Sequence, residues 1–359
     1  MLTEIAFSNI RNLQAQQLVP GSGVNLITGG NAAGKSSVLE AIHLLSLGRS
    51  FRTSQLDRVI RQPLDACWVR GRIRDGIDGR ERLIGFQRAD KKNKSRVDGA
   101  DASSVAQLAR LFPVQIIHPE SHRLLTGGPS LRRAFLDWGC FYADTNFHLA
   151  WRQYRRVLLQ YNTALKRQLD SNTLQSLETE LSLRGMELDE SRRRYLSEFL
   201  MALPVTDGLW PDKSDRSFRY DSGWTDGISL NEALARNRLR SMRAGTALVG
   251  PHRAELRVEH QNEAAAAVLS RGQIKRVTVA LMLAQIELYE RNASCSCVLM
   301  VDDVASELDS ESMLLVSQVV MQRGGQCFIT ALSDRDVEAF TRLNHRMFHV
   351  EHGQLSELV

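Results

Sequence analysis

An α/β fold interrupted by a helical lobe is predicted by three stretches of this chain. The first is Gly29-Gly30-Asn31-Ala32-Ala33-Gly34-Lys35-Ser36, an ungapped match to the phosphate-binding pattern G-x-x-x-x-G-K-[ST]. The second is Cys297-Val298-Leu299-Met300-Val301-Asp302-Asp303, a continuous apolar run ending in two carboxylates, as expected of a buried parallel strand that delivers acids to its C-terminal edge. The third runs from Leu131 to Leu203, where strand signals vanish and helical periodicity takes over.

In chain order, Leu2 to Phe7 alternates as a strand and Ser8 to Asn12 reads as a turn; the strand is expected to pair with Val24 to Thr28, an apolar, β-branched run. The loop after Val24 to Thr28 supplies glycines where backbone N–H groups must close on phosphate oxygens. Lys35 is placed to reach the β/γ-phosphates, Ser36 to hold Mg²⁺, and Ser36 to Leu47 to form the helix behind them. ATP with Mg²⁺ is the expected ligand, with Gly29 to Ser37 as its cradle.

Two β-rich stretches, Cys67 to Ile73 and Arg82 to Gln87, read as a hairpin sheet, with Lys91, Lys92 and Lys94 at a tip beside the turn dipeptide Asp98-Gly99. These lysines are either a solvated loop or a contact to a DNA backbone. Ser103 to Leu111 reads as a short helix and Val114 to Glu120 as a strand that Pro119 ends. Within the helical segment, Trp151, Tyr154, Leu158, Tyr161 and Leu165 form one apolar stripe, while Arg152, Arg155 and Arg156 cluster on another side of the same helix. Between Leu131 and Gln168 seven Lys or Arg stand against two acids, an excess equal to the net charge of the whole chain, +5. That is the strongest sequence signal for a surface facing a polyanion, the alternative being an ordinary solvated helix face. A second helix around Leu174 to Leu203 and a third from Leu230 follow, and β character returns at Ala247 to His252 and Ala254 to Val258.

Leu269-Ser270-Arg271-Gly272-Gln273 then opens a helix with Ser270 as N-cap, an anion-binding terminus by geometry. With the phosphate loop upstream, Asp302 is read as holding Mg²⁺ through water and Asp303 as polarising the attacking water.

Composition adds bounds. Of 46 basic residues only seven are Lys, which suits bidentate phosphate contacts but equally an Arg-rich codon composition. The five cysteines show no C-x-x-C pair and no zinc spacing, so a reducing compartment with buried thiols is expected. The first residues lack a secretory pattern and no run of eighteen apolar residues occurs, so a cytoplasmic protein with no membrane partner is expected.

Phosphate loop, insertion, Leu-Ser-x-Gly-Gln, apolar strand with two acids and Ser306-Glu307-Leu308-Asp309, in this order, resemble the ABC-type heads of the SMC-like ATPases. More closely, Phe7 to Asn12, Gly128 to Asp137, Gly250-Pro251-His252 and Leu269 to Gln273 resemble the RecF family of bacterial recombination mediators, along essentially the whole chain. The resemblance implies an ATPase head with a mixed sheet at residues 1–130 and 244–359, an inserted helical lobe at 131–243, and no long coiled coil. It implies ATP sandwiched between two protomers, with Ser270, Arg271, Gly272 and Gln273 of one capping the triphosphate held by the other and Asp309 at the same interface. It implies a homodimer clamping gapped DNA at single-strand/duplex junctions, released by slow hydrolysis that DNA stimulates, and acting with RecR and RecO to help load RecA in repair, replication and the SOS response.

Against the wider cassette pattern, Arg271 replaces a common glycine, Asp303 replaces a glutamate, Thr330 stands where a γ-phosphate-sensing histidine is common, and Gln115 is the candidate metal-contacting glutamine. Two other classes fit part of the pattern. A transporter ATPase leaves the Arg-rich helix unexplained, and a small-molecule kinase leaves Leu269 to Gln273 and Asp309 without a role.

Overall fold

The computed structural model describes residues 1–74, 78–293, 295–342 and 344–358. The chain divides into two compact units, one of Met1–Ser121, Val205–Trp210 and Lys275–Val359, the other of His122–Pro204 and Pro211–Ile274.

In the first unit a six-stranded sheet runs in the order Gln354–Leu358, His345–Glu351, Val24–Thr28, Cys327–Ala331, Val298–Val301, Val114–Ile117. All neighbours are parallel except the outermost pair at Gln354–Leu358. Its central strands are apolar without alternation because both faces are covered, and every residue of Val24–Thr28, Val298–Val301 and Cys327–Ala331 is buried. A second, antiparallel sheet takes the order Gln16–Leu18, Leu2–Ser8, Ala66–Arg74, Glu81–Ala89, Lys92–Val97, Ala100–Asp101. The expected pairing of Leu2–Phe7 with Val24–Thr28 is therefore wrong. Leu2–Ser8 pairs with Ala66–Arg74 and Gln16–Leu18, and the two strands lie in different sheets. Period-2 patterning shows which face of a strand is apolar and says nothing about which strand lies beside it.

Helix Lys35–Leu47 lies in the core these sheets share. Val38, Ile42 and Leu45 cluster with Leu2, Ile5 and Phe7 from one sheet and with Ile27, Val298 and Phe328 from the other. A helix covered on both sides is apolar nearly all round, which is why its sequence shows little amphipathic contrast. Two polar side chains in it are matched internally. Glu40 is fully buried and accepts two bonds from the Arg11 guanidinium at 2.8 and 2.9 Å. His43 bonds through Nδ1 to the Arg49 carbonyl at 2.6 Å, and burial pushes its pKa down to about 4. The folded chain thus keeps His43 neutral where the unfolded chain protonates it. Its contribution to stability is complete above pH 6.5 and is lost toward pH 4, at about 1.4 kcal/mol per pH unit. His43→Gln is expected to flatten the acid side of the unfolding profile by about that slope, and an unchanged slope would assign the acid sensitivity to other groups.

In the second unit helices Phe147–Lys166 and Ser171–Ala202 pack as an antiparallel pair, Pro129–Ala143 and Leu230–Ala244 lie against them, and a three-stranded sheet orders Glu263–Ala264, Glu255–His260, Arg216–Asp221. The stripe read from the sequence faces inward, with Tyr154, Tyr161 and Leu165 buried. Ala247 to His252, read as β, instead ends in a single 3-10 turn at Pro251–Arg253 that Tyr154 anchors through a 2.6 Å bond to His252 Nδ1. This unit extends beyond the 131–243 range because Arg216–Asp221 and Glu255–His260 pair along six residues and Pro129–Ala143 packs on the latter strand.

Candidate nucleotide-binding site

At the C-terminal edge of the parallel sheet, Val24–Thr28 runs into the loop 29–34 and Lys35 begins the helix, so the first-turn N–H groups converge on the loop. Two glycines are required by shape. Gly29 has φ +149° and a Cβ there would lie 2.3 Å from the Val350 carbonyl; Gly34 has φ +127° and a Cβ would lie 2.9 Å from Leu13. The loop borders a cleft of about 390 Å³ lined also by Arg11, Asn12, Arg52, Asp302, Asp303, Thr330 and Leu332.

Lys35 is nearly buried, and its Nζ donates to the carbonyls of Gly29 at 2.8 Å and Gly30 at 2.9 Å. Burial lowers its pKa, and the Asp303 and Asp302 carboxylates oppose that shift. Asp302 and Asp303 follow Val298–Val301 directly, and parallel pairing with Cys327–Ala331 brings Thr330 beside them. Asp302 Oδ1 accepts from both Ser36 Oγ and Thr330 Oγ1 at 2.8 Å, and the Thr330 hydroxyl accepts the Asp303 N–H at 2.8 Å. Asp303 is held in the left-handed region, φ 55° and ψ 61°, at the start of the short helix Val304–Glu307. Non-glycine residues held there mark sites that the surroundings over-determine.

The arrangement therefore joins Lys35, Ser36, Asp302 and Asp303 across some 270 residues of sequence. Thr330 positions both acids through its hydroxyl. Asn12 holds the loop, with Nδ2 donating to the Ala32 carbonyl at 2.8 Å and Oδ1 accepting from Ser37 Oγ at 3.1 Å. Arg11 and Arg52 put two guanidinium groups at the cleft wall. No loop motif marks Asn12, Arg11 or Arg52; the only signal for the first two was their place in the Phe7 to Asn12 turn.

Gln115 lies elsewhere. It sits on the edge strand Val114–Ile117 in register with Leu299, its Nε2 donates to Gln285 Oε1 at 3.2 Å, and it does not line the cleft. The Ile117 carbonyl, two residues on, accepts the Asp302 N–H at 2.8 Å, so His118 rather than Gln115 stands where the strand leaves the sheet beside the acids.

Ser270 caps Arg271–Asn292 reciprocally, its N–H donating to Gln273 Oε1 at 2.8 Å and its Oγ accepting from the Gln273 N–H at 3.3 Å. Ser270, Arg271 and Gly272 are exposed, and a Cβ on Gly272 would meet nothing within 4 Å. Asp309 caps Ser310–Arg323 through the Ser312 N–H at 2.8 Å. The side chains of Ser306 and Glu307 lie outside the described residues.

Arg152, Arg155 and Arg156 are exposed on Phe147–Lys166, with Arg155 over the Trp151 ring at 4.7 Å. Of the seven basic residues counted in that segment, Arg132 is taken up by Glu255 and Arg133 by the Ala254 carbonyl. Lys91 occupies the turn after Glu81–Ala89 and Lys92, paired with Ala89, follows it at the start of Lys92–Val97, so this tip is the turn at Asp90-Lys91 and not the one at Asp98-Gly99; Lys94 lies within the strand.

The family described as the RecF/RecN/SMC N terminal domain matches residues 1–356. The DNA replication and repair protein RecF of Thioalkalivibrio sulfidiphilus is 39% identical over 355 residues, 99% of each chain. That of Pseudomonas aeruginosa strain LESB58 is 38% identical over 362 residues, covering 99% of this chain and 97% of the relative. Among solved structures, a recombination mediator protein RecF with ATP aligns at a TM-score of 0.87 and 28% identity, over 100% of this chain and 97% of the other. The Smc head of Pyrococcus furiosus bound to a ScpA domain shares the fold alone, with a TM-score of 0.60 at 14% identity over 99% and 96% of the two chains.

Proposed function

Because the chain belongs to the RecF family of SMC-type ATPases, we propose that it is an ATP-dependent DNA-binding protein of recombinational gap repair, in which nucleotide drives dimerisation and slow hydrolysis ends it. The observation that carries this reading is the triad of Ser36, Asp302 and Thr330 oxygens meeting beside the Lys35 ammonium at the mouth of the phosphate loop. Lys35 is placed for the β/γ-phosphates and the loop N–H groups for the remaining oxygens. Ser36 and Asp302 are hard oxygen donors 2.8 Å apart, which fits Mg²⁺ held by one carboxylate, one hydroxyl and substrate phosphates. Held by Ser36 and Asp302, Mg²⁺ would supply positive charge to offset that developing on the phosphate oxygens. Asp303 orients the attacking water and accepts its proton; with one methylene fewer than glutamate it reaches less far, consistent with a timer rather than a fast enzyme.

Ser270, Arg271, Gly272 and Gln273 of a second copy complete the site, their exposed helix terminus facing the γ-phosphate, with Asp309 at the same interface. Residues far apart in one chain thus meet across a two-fold axis. The closed dimer clamps gapped DNA, DNA stimulates hydrolysis, and RecR and RecO act with it in the cytoplasm to help load RecA. The transporter alternative is not favoured, since the relatives are DNA repair proteins.

Light scattering without nucleotide, with ATP, and with ATP plus short gapped DNA tests the clamp. A monomer that becomes a dimer with ATP, strengthened by DNA, is the expected outcome, and a monomer throughout would overturn it. Reversing Arg152, Arg155 and Arg156 to Glu is expected to weaken DNA binding and to flatten log Kd against log salt by up to about 0.9 per lost phosphate contact. An unchanged slope would return that face to solvent.

A further inference from the structure

Strands Ala66–Arg74, Glu81–Ala89 and Lys92–Val97 place their alternate residues on one exposed face. Register puts Trp68, Gln87 and Lys94 in one row across the three strands, and Arg70, Gly85 and Arg96 in the next. At the centre, Gly85 contributes no side chain, and the result is a depression of about 270 Å³ walled by Trp68, Arg70, Leu83, Gln87, Lys94 and Arg96. Glycine in a strand interior weakens it and marks a place where something approaches the backbone closely. Space does not demand it here, because a Cβ on Gly85 would lie 3.6 Å from the nearest atom, the Val69 carbonyl.

The chemistry of the walls is that of a single-stranded nucleic acid platform. Trp68 offers an indole face, the Arg70 guanidinium lies over it at 5.6 Å, and Gln87 offers an amide edge with donors and an acceptor. Arg70 has no ion-pair partner among the described residues. Lys94 and Arg96 share one exposed carboxylate, Asp101, at 3.4 Å each, contacts weak enough to yield to phosphate. Three cations against one acid give the depression a positive balance. Strand spacing sets Arg70 and Arg96 on either side of it, about 10 Å apart at the backbone.

We propose that this sheet face binds an unpaired nucleotide of single-stranded DNA, its base displacing the Arg70 guanidinium from the Trp68 ring to stack there over Gly85, and its flanking phosphates held by the released Arg70 and by Lys94 and Arg96. The proposal rests on the DNA-binding function argued above and adds to it a site able to distinguish an exposed base from a duplex, which backbone contacts by themselves do not do.

The test measures affinity of the full chain with ATP for a blunt duplex and for the same duplex carrying a single-stranded tail. Trp68→Ala is expected to weaken tailed DNA by about five- to 150-fold, the range for losing one stacked base, with duplex affinity unchanged. Gly85→Leu, which fills the depression without displacing backbone, is expected to do the same, and Trp68→Phe to restore most of the loss. Unchanged tailed-DNA affinity in both Trp68→Ala and Gly85→Leu, or equal loss on tail and duplex, would overturn the site. So would competition by polyglutamate as effective as that by oligothymidylate, which would assign the face to an acidic polypeptide. A wild-type chain that binds tailed and blunt DNA equally well, with both variants unaffected, overturns the platform and leaves the clamp standing; one that binds neither overturns the clamp, and the platform with it.

Discussion

Lys35→Met is expected to abolish ATP binding and, with it, ATP-dependent dimerisation, whereas Ser270→Arg removes the second and leaves the first intact. The asymmetry follows from where the two side chains sit. Lys35 is nearly buried inside the phosphate loop, and its ammonium already donates two short bonds to loop carbonyls that a phosphate would share or replace. Charge-assisted bonds contribute about 1.5–3 kcal/mol each, so losing two corresponds to a loss in affinity of at least about a hundredfold. Ser270 is exposed at a helix terminus, where its side chain accepts the capping bond from the Gln273 N–H. Its replacement costs that helix about 1 kcal/mol and puts a bulky cation where a second copy must approach. Ser270→Thr keeps the cap and is expected to dimerise. Isothermal titration with a slowly hydrolysed ATP analogue, together with light scattering, separates the two effects; equal loss of nucleotide binding in both variants would dismiss the shared-site arrangement.

Thr330→Val is expected to lower ATP turnover by about ten- to a hundredfold while changing the KM for ATP little. The Thr330 hydroxyl touches both acidic residues, donating to Asp302 Oδ1 and accepting the Asp303 N–H. Valine matches threonine in shape but not in bonding, so the change removes the hydroxyl without opening a cavity. Leaving buried polar groups short of a partner costs about 1–3 kcal/mol, and about 1.4 kcal/mol of misplaced transition-state stabilisation is a factor of ten in rate. Thr330→Ser retains the hydroxyl and is expected to retain most of the rate. Turnover of Thr330→Val equal to wild type would show that the acids hold their pose without it.

The threonine also shows how a residue with an uncertain role in the sequence acquires one from its surroundings. In the sequence Thr330 stands where a γ-phosphate-sensing histidine is common, which gives it no bond to a particular partner. Parallel pairing of Val298–Val301 with Cys327–Ala331 brings it to Asp302, and no spacing along the chain could reveal that pairing. Gln115 is the converse case. Its residue type suited a metal contact, but its register with Leu299 puts it short of the strand end and into a bond with Gln285.

What the sequence by itself determined is everything local to one element: the loop Gly29 to Ser36 between a buried strand and a helix, the Asp302-Asp303 strand end, the Ser270 cap and the helical character of the segment after Leu131. Each depends on interactions within a few residues, so residue type and spacing suffice. Only the tertiary structure decided which strands are neighbours, and therefore that Leu2–Ser8 belongs to the second sheet, that Asn12 and Arg52 reach the cleft, and that Trp68, Gly85 and Lys94 form one row. Strand pairing is a long-range choice: period-2 alternation gives each strand an inside and an outside, and the packing of helix Lys35–Leu47 among both sheets selects the partners.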